Sequence, residues 1–132
     1  MPLTRRALIG SATAAAAALS GRPARAQAPV LKIGVLTDLS GPYKDIGGPL
    51  SADCARLAAA DFGAAAKGLN VQFVSADHQN KPDVGAGIAR QWFDRDGVDV
   101  ILDVPNSGVS LAVSGVAKEK NKIFLVSNAA SS

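Results

Sequence analysis

Short apolar runs alternate with stretches of helical periodicity along this sequence, and that alternation constrains the fold more than any other feature. Strands are predicted at residues 31–36, 69–75, 98–102 and 123–126, and helices at residues 50–62, 82–96 and 107–120. The order β-α-β-α-β-α-β predicts an α/β fold, in which a parallel sheet carries helices on both faces. Right-handed crossovers then favour the strand order 2-1-3-4, with the change of direction between strands 1 and 3.

The third predicted helix begins just after a strand end, and its first residues form the candidate ligand site. Pro105 ends the strand because it has no N–H to donate and its φ is fixed. Asn106 and Ser107 both suit the N-cap, so the simplest interpretation is that they only cap the helix. A helix N-terminus also presents N–H groups and a positive dipole end, which bind a carboxylate or phosphate. We therefore expect an anion site around Asn106, Ser107 and Gly108.

Two more loops are expected at the same edge of the sheet, because the carboxyl ends of parallel strands lie together. Residues 40–42 follow strand 1 and residues 128–131 follow strand 4, and both stretches consist of small residues with little charge. Three such loops strengthen the prediction of a ligand cleft at Ser107. Asp103 at the end of strand 3 argues against it, since a carboxylate there would repel an anion unless it turned away.

The charge of the chain is distributed unevenly, and the net charge of +3 is misleading. Four arginines and no acid lie in residues 1–26, whereas from residue 27 onward ten basic residues face eleven acidic ones. No basic patch is interleaved with aromatic residues, so nucleic-acid binding is not expected. The single cysteine cannot form an internal disulfide, and neither a metal site nor a cofactor site is predicted.

Residues 1–26 have the features of an export signal. Arg5 and Arg6 form a charged start and resemble a twin-arginine signal, and residues 7–20 form a mild apolar run that is short for a membrane span. The sequence Ala24-Arg25-Ala26 suits cleavage before Gln27. No cysteine follows that point closely, so we expect a soluble periplasmic product comprising residues 27–132.

Several residues invite a catalytic or cofactor interpretation, but each has a simpler one. Ser107 lacks a G-x-S-x-G elbow and a base nearby, so no enzymatic role is predicted; a periplasmic hydrolase, the weaker alternative, would need such a base. His78 is expected to be solvated in a polar loop. The sequence Gly85-Ala86-Gly87 lies within a helix and predicts close packing of that helix on the sheet rather than a dinucleotide site.

Apolar spacing assigns further residues to the core. Leu50, Cys54 and Leu57 lie near one face of the first helix, so Cys54 is expected to be buried. Trp92 and Phe93 are expected in the core as well. The charged residues 94–96 close the second helix before a glycine and are predicted to be solvated.

Four segments together resemble the first part of a periplasmic solute-binding protein of the leucine/isoleucine/valine-binding type, which serves ABC importers. They are LKIGVLTDLSGPYKDIGGP, DHQNKPDVG, DRDGVDVILDVPNSGVSLAV and KIFLVSNAASS, and they cover essentially all of residues 27–132. The resemblance implies a partial first lobe of a two-lobed binder of periplasmic binding protein type I. It also implies a membrane permease and an ATPase as partners of the full-length protein, and no catalytic role.

The resemblance also assigns ligand-binding residues. It implies that Ser107, flanked by Asn106 and Gly108, holds the carboxylate of a branched-chain amino acid or an aromatic acid. Backbone and hydroxyl groups of the loop after strand 4 add to the site; these are Ala129, Ala130 and Ser131. The first loop contributes Ser40 and Tyr43, although Ile46 lies nearer the position where such binders place an aromatic ring. A receptor-type sensing domain of the same fold, followed by a membrane segment, is the alternative.

Overall fold

A computed structural model describes residues 28–130 of the chain. The predicted export signal and Ser131 lie outside this range. The elements are β1 (Val30–Thr37), α1 (Gly48–Asp61), β2 (Asn70–Asp77), α2 (Pro82–Asp94), β3 (Val100–Asp103), α3 (Ser107–Glu119) and β4 (Ile123–Val126). A short 3-10 turn at Ala65–Lys67 precedes β2. The predicted alternation of strands and helices is confirmed over this part of the chain.

The four strands form one parallel sheet in the order β2-β1-β3-β4, which confirms the predicted order. Leu36 of β1 pairs with Asp103 of β3, and Asp103 pairs in turn with Val126 of β4. Thr37 pairs with Asp77 at the end of β2. All four strands therefore end at one edge, where the loops after them meet.

The main core lies between one face of the sheet and the paired helices α2 and α3. Its buried members include Leu36, Ile101, Trp92, Phe93, Val109, Val113 and Val116, and the core placement of Trp92 and Phe93 is confirmed. Gly34 allows the sheet to approach α2, because a Cβ on Gly34 would lie 2.5 Å from the Trp92 ring. Gly85 does pack closely, but on Val109 of α3 rather than on the sheet.

Helix α1 lies on the opposite face of the sheet, and the prediction that Cys54 is buried is wrong. Cys54 is exposed, and Leu50 and Leu57 are 67% and 61% exposed. The buried residues of α1 are Gly48 and Ala52, so the helix contacts β1 and β2 through small residues. Leu50 and Cys54 instead line an open cavity against β1, β3 and β4.

None of the helices within residues 28–130 has the length and apolar character that crossing a membrane requires.

Candidate functional site

The first turn of α3 is capped by Asn106. Its backbone is extended (φ −90°, ψ 124°), and its Oδ1 accepts a hydrogen bond of 2.9 Å from the Val109 N–H. Its carbonyl oxygen accepts the Ser110 N–H at 2.8 Å. The cap is therefore Asn106, and Ser107 is the first helical residue. Ser107 is half-buried and Gly108 is exposed, which places both at the mouth of the helix N-terminus.

The turn that leads from β3 into this helix holds two residues in left-handed conformations. Asp103 has φ of 83° and Val104 has φ of 60°. For a β-branched residue such as Val104 this is a true outlier, which costs on the order of 1–3 kcal/mol. The Val104 N–H donates to the Leu36 carbonyl, and its side chain is fully buried. Packing therefore holds a strained turn immediately before the candidate site, and the sequence does not predict it, because a following proline favours an extended residue.

The Asp103 carboxylate is directed into the protein. It is 4% exposed, and its Oδ1 accepts a hydrogen bond from the Ser127 hydroxyl. Its Oδ2 has no hydrogen-bond partner within the described part of the chain and faces the loop after β1, because a Cβ on Gly47 would lie 2.9 Å from it. The carboxylate thus joins the ends of β3 and β4. Because it is turned inward, the presence of an acidic residue beside the predicted anion site is explained.

The loop after β1 is organised by two acidic residues. The buried Asp38 accepts the N–H groups of Gly41 and Tyr43 at 2.8 and 2.9 Å. Asp77 at the end of β2 accepts the Ser40 hydroxyl at 2.6 Å. This bond ties the loop after β1 to the end of β2. Of the predicted site residues, Ser40 is thus exposed and hydrogen-bonded to Asp77, and Tyr43 is half-buried with its N–H on Asp38.

Hydrogen bonds also act on the pKa of Asp77. Burial tends to raise the pKa of its carboxyl group. The hydrogen bonds that it accepts, from the Ser40 hydroxyl and from the N–H groups of Gln79 and Leu39, outweigh burial and leave the pKa below the usual 3.8. The ionised form of Asp77 is therefore the one that ties the first loop to β2.

The loop after β2 also reaches the α3 N-terminus, a contact that the sequence does not predict. The Asn106 side-chain amide donates to Asn80 Oδ1 at 2.5 Å, and the Asn80 N–H donates to His78 Nδ1 at 3.0 Å. The prediction that His78 is solvated is wrong, because it is fully buried. Burial lowers the pKa of His78 below its usual 6.5, although three nearby carboxylates act to raise it. The only available signal was its position directly after a strand end.

The loop after β4 lies beside the first turns of α3. A cavity of about 360 Å³ there is lined by Ser110, Leu111, Ser114, Phe124, Val126, Ser127 and Ala129. Ala129 is half-buried and Ala130 exposed. A second cavity, of about 350 Å³, lies between α1 and β4 and includes Leu50, Cys54, Leu125 and Asn128. The fold thus brings Ala129 near the start of α3, while within the described residues no acidic, histidine or cysteine cluster suits a metal ion.

Comparison with known proteins places this chain in a family. The profile of the family described as periplasmic binding protein matches residues 30–132. A branched-chain amino acid ABC transporter periplasmic ligand-binding protein from Burkholderia xenovorans LB400 is 48% identical, with a TM-score of 0.73, over 76% of this chain and 27% of its own. A periplasmic binding protein from Burkholderia mallei is 42% identical, with a TM-score of 0.72, over 77% of this chain and 27% of its own.

A more distant structure is the solute-binding protein of an ABC transporter from R. palustris, solved in complex with 4-hydroxybenzoate. It is 26% identical, with a TM-score of 0.67, over 78% of this chain and 28% of its own. None of the curated proteins that were compared is a significant match. The chain spans 27% of the length of the two Burkholderia proteins. The matched profile and the shared fold establish that this chain belongs to the periplasmic binding protein family.

Proposed function

We propose that the chain is part of the substrate-binding component of an ABC importer and captures a small carboxylate-bearing solute in the periplasm. The observation that carries the proposal is the N-terminus of α3, which opens at the carboxyl edge of the sheet next to the β1–β3 switch point. Ligands of open α/β sheets bind at such switch points. The B. xenovorans relative is named for branched-chain amino acids and the R. palustris relative holds 4-hydroxybenzoate, and both kinds of ligand carry a carboxylate.

In this proposal the carboxylate is held by backbone amides and hydroxyl groups rather than by a cation. Gly108 and Ser107 lie in the first turn of α3, where N–H groups point out of the helix and the dipole is positive. Asn106 acts as the cap. Ala129, Ala130 and Ser131 complete the site from the loop after β4. Ser40 and Tyr43 contribute from the loop after β1, whose shape is held by the hydrogen bonds of the Ser40 hydroxyl to Asp77 and of the Tyr43 N–H to Asp38.

One lobe alone is expected to bind weakly. A helix N-terminus contributes roughly 0.3–1 kcal/mol toward an anion, or about 2 when partly buried. Charge-assisted hydrogen bonds add about 1.5–3 kcal/mol each, whereas association costs roughly 4–15 kcal/mol. A micromolar site needs about −8 kcal/mol net. Two or three such bonds on an open surface do not reach that value.

Isothermal calorimetry on the chain without residues 1–26 tests this proposal. Titration with leucine, isoleucine, valine and 4-hydroxybenzoate is expected to give dissociation constants well above micromolar. Ser107→Ala should weaken whichever ligand binds, while Ser75→Ala on the exposed surface of β2 serves as the matched control. Micromolar binding by a verified monomer would contradict the expected weakness, and binding that Ser107→Ala leaves unchanged would contradict the site.

The same proposal covers export and partners. Residues 1–26 act as the signal, residues 27–132 form part of the first lobe, and a membrane permease and an ATPase receive the solute from the full-length protein. The chain itself has no catalytic role. In support of this, the chain belongs to the periplasmic binding protein family, and its B. xenovorans relative is named as a ligand-binding protein of a transporter.

A further inference from the structure

Three side chains from two loops form a continuous hydrogen-bonded relay that ends in the first turn of α3. His78 Nδ1 accepts from the Asn80 N–H at 3.0 Å, and Asn80 Oδ1 accepts from Asn106 Nδ2 at 2.5 Å. Asn106 Oδ1 then accepts from the Val109 N–H at 2.9 Å. The relay crosses from the end of β2 to the start of α3, elements that are far apart in the sequence.

The chemistry of the amide group makes this relay directional. Asn106 can cap the helix only with its oxygen toward Val109, and Asn80 Oδ1 can accept only from the nitrogen end of that amide. A flipped Asn106 amide would lose both bonds at once. Asn80 is itself held in a left-handed backbone conformation, with φ of 56°, and is anchored through its N–H to the buried ring of His78. Each member thus fixes the orientation of the next.

We propose that Asn80 and His78 are positioning residues for the ligand site, and that protonation of the His78 ring releases the first turn of α3. The inference rests on the proposed function for its effect on binding. A protonated imidazole carries hydrogen on both nitrogens, so Nδ1 can no longer accept the Asn80 N–H. The Asn80 N–H then loses its acceptor, and Asn80 is no longer held in the position from which its Oδ1 orients the Asn106 cap.

The surroundings of His78 favour the neutral ring near neutral pH. The carboxylates of Asp38, Asp77 and Asp103, at the ends of β1, β2 and β3, favour the charged form. Helix α2 contributes an uncharged neighbour there, since a Cβ on Gly85 would lie 3.6 Å from the His78 Cβ. Burial outweighs the carboxylates and lowers the pKa of His78. Release of the first turn of α3 is therefore expected at acidic pH.

Nuclear magnetic resonance on the isotopically labelled full chain tests the relay, with sodium benzoate as the probe. Asn80→Ala removes the acceptor for Asn106, and Asn80→Asp retains an oxygen in its place. Asn121→Ala is the matched control, because Asn121 has a similar left-handed φ of 51° in the exposed turn after α3. Relative to that control, Asn80→Ala should move the Val109 amide resonance and raise the benzoate dissociation constant about threefold to tenfold, the value of one net hydrogen bond. Asn80→Asp should stay within about twofold.

An acid titration gives a readout that a merely structural role would not move. In the unaltered chain the Val109 amide should shift with the same midpoint as the His78 ring, whereas in Asn80→Ala the ring should still titrate without Val109 following. If the Val109 amide resonance responds neither to Asn80→Ala nor to the titration, the relay is overturned. If benzoate moves no resonance of Ser107 or Gly108 in the unaltered chain, the proposed function fails, while the Val109 readout still decides the relay.

Discussion

Gly85 of α2 lies directly on Val109 of α3, so closely that a Cβ on Gly85 would be 2.4 Å from Val109 Cγ1. Val109 is also the residue whose N–H is capped by Asn106. The contact between the two helices and the cap at the candidate site therefore share one residue. A glycine that could be taken for part of a nucleotide motif instead sets how closely α2 approaches the start of α3.

Gly85→Ala is expected to destabilise the fold, and Gly87→Ala is its matched control in the same helix. Overpacking in a close helix contact costs about 1–3 kcal/mol, whereas a Cβ on Gly87 meets nothing within 4 Å. Gly87→Ala should therefore increase the free energy of unfolding by as much as about 1 kcal/mol, because alanine has a higher helix propensity than glycine. Urea unfolding of both variants measures the difference, and equal midpoints would contradict the close contact between Gly85 and Val109.

The stability of the fold should depend on pH through His78. Its folded pKa is lowered below 6.5 by burial, so the unfolded chain binds this proton first as pH falls. The stability contributed by the neutral ring is fully present above about 6.5 and decreases as pH falls through the lowered folded value. Unfolding free energies measured between neutral and acidic pH should show this slope in the unaltered chain and lose it in His78→Gln. A slope that persists unchanged in His78→Gln would assign it to other groups.

Ser40→Ala is expected to change the stability of the fold over a more acidic pH range than His78→Gln. The Ser40 hydroxyl is one of the hydrogen bonds that hold the pKa of Asp77 below 3.8 despite burial. Removing this hydroxyl should raise the pKa of Asp77. It should also lower the free energy of unfolding at pH values above the folded pKa of Asp77. The stability that Asp77 contributes is lost as pH falls through its folded pKa, so the two proteins should converge in strong acid. Carbon-13 titration of the Asp77 carboxyl measures the shift directly, and an unchanged midpoint would refute the role of Ser40.

The strand order could be predicted because it follows from local patterns and general topology. Apolar runs marked β1, β3 and β4, and right-handed crossovers left few arrangements for a β-α-β-α-β-α-β chain. The start of α3 was also predictable, since Asn106 is a good cap after a proline. The ligand-binding roles of Ser107 and of residues 129–131 remain predictions.

The wrong predictions concern burial, because the burial of a residue depends on which element packs against it. Apolar periodicity shows only which residues share a face. Spacing showed that Leu50, Cys54 and Leu57 share a face of α1, but not that Gly48 and Ala52 would make the contact instead. His78 was misplaced because a polar loop sequence gives no sign that α2 covers it through Gly85. The left-handed Val104 was likewise invisible, since tertiary packing overrides the local preference of valine.

Amides at the start of α3 are proposed to bind a carboxylate, and a chemical-shift map of the chain with sodium benzoate and with benzamide measures this binding. The two probes share shape but only one carries the charge that the helix N-terminus attracts. We expect benzoate-dependent shifts centred on Ser107, Gly108 and Ala129, and little response to benzamide. Equal responses to both probes, or benzoate shifts centred on the cavity between Leu50 and Leu125, would contradict it.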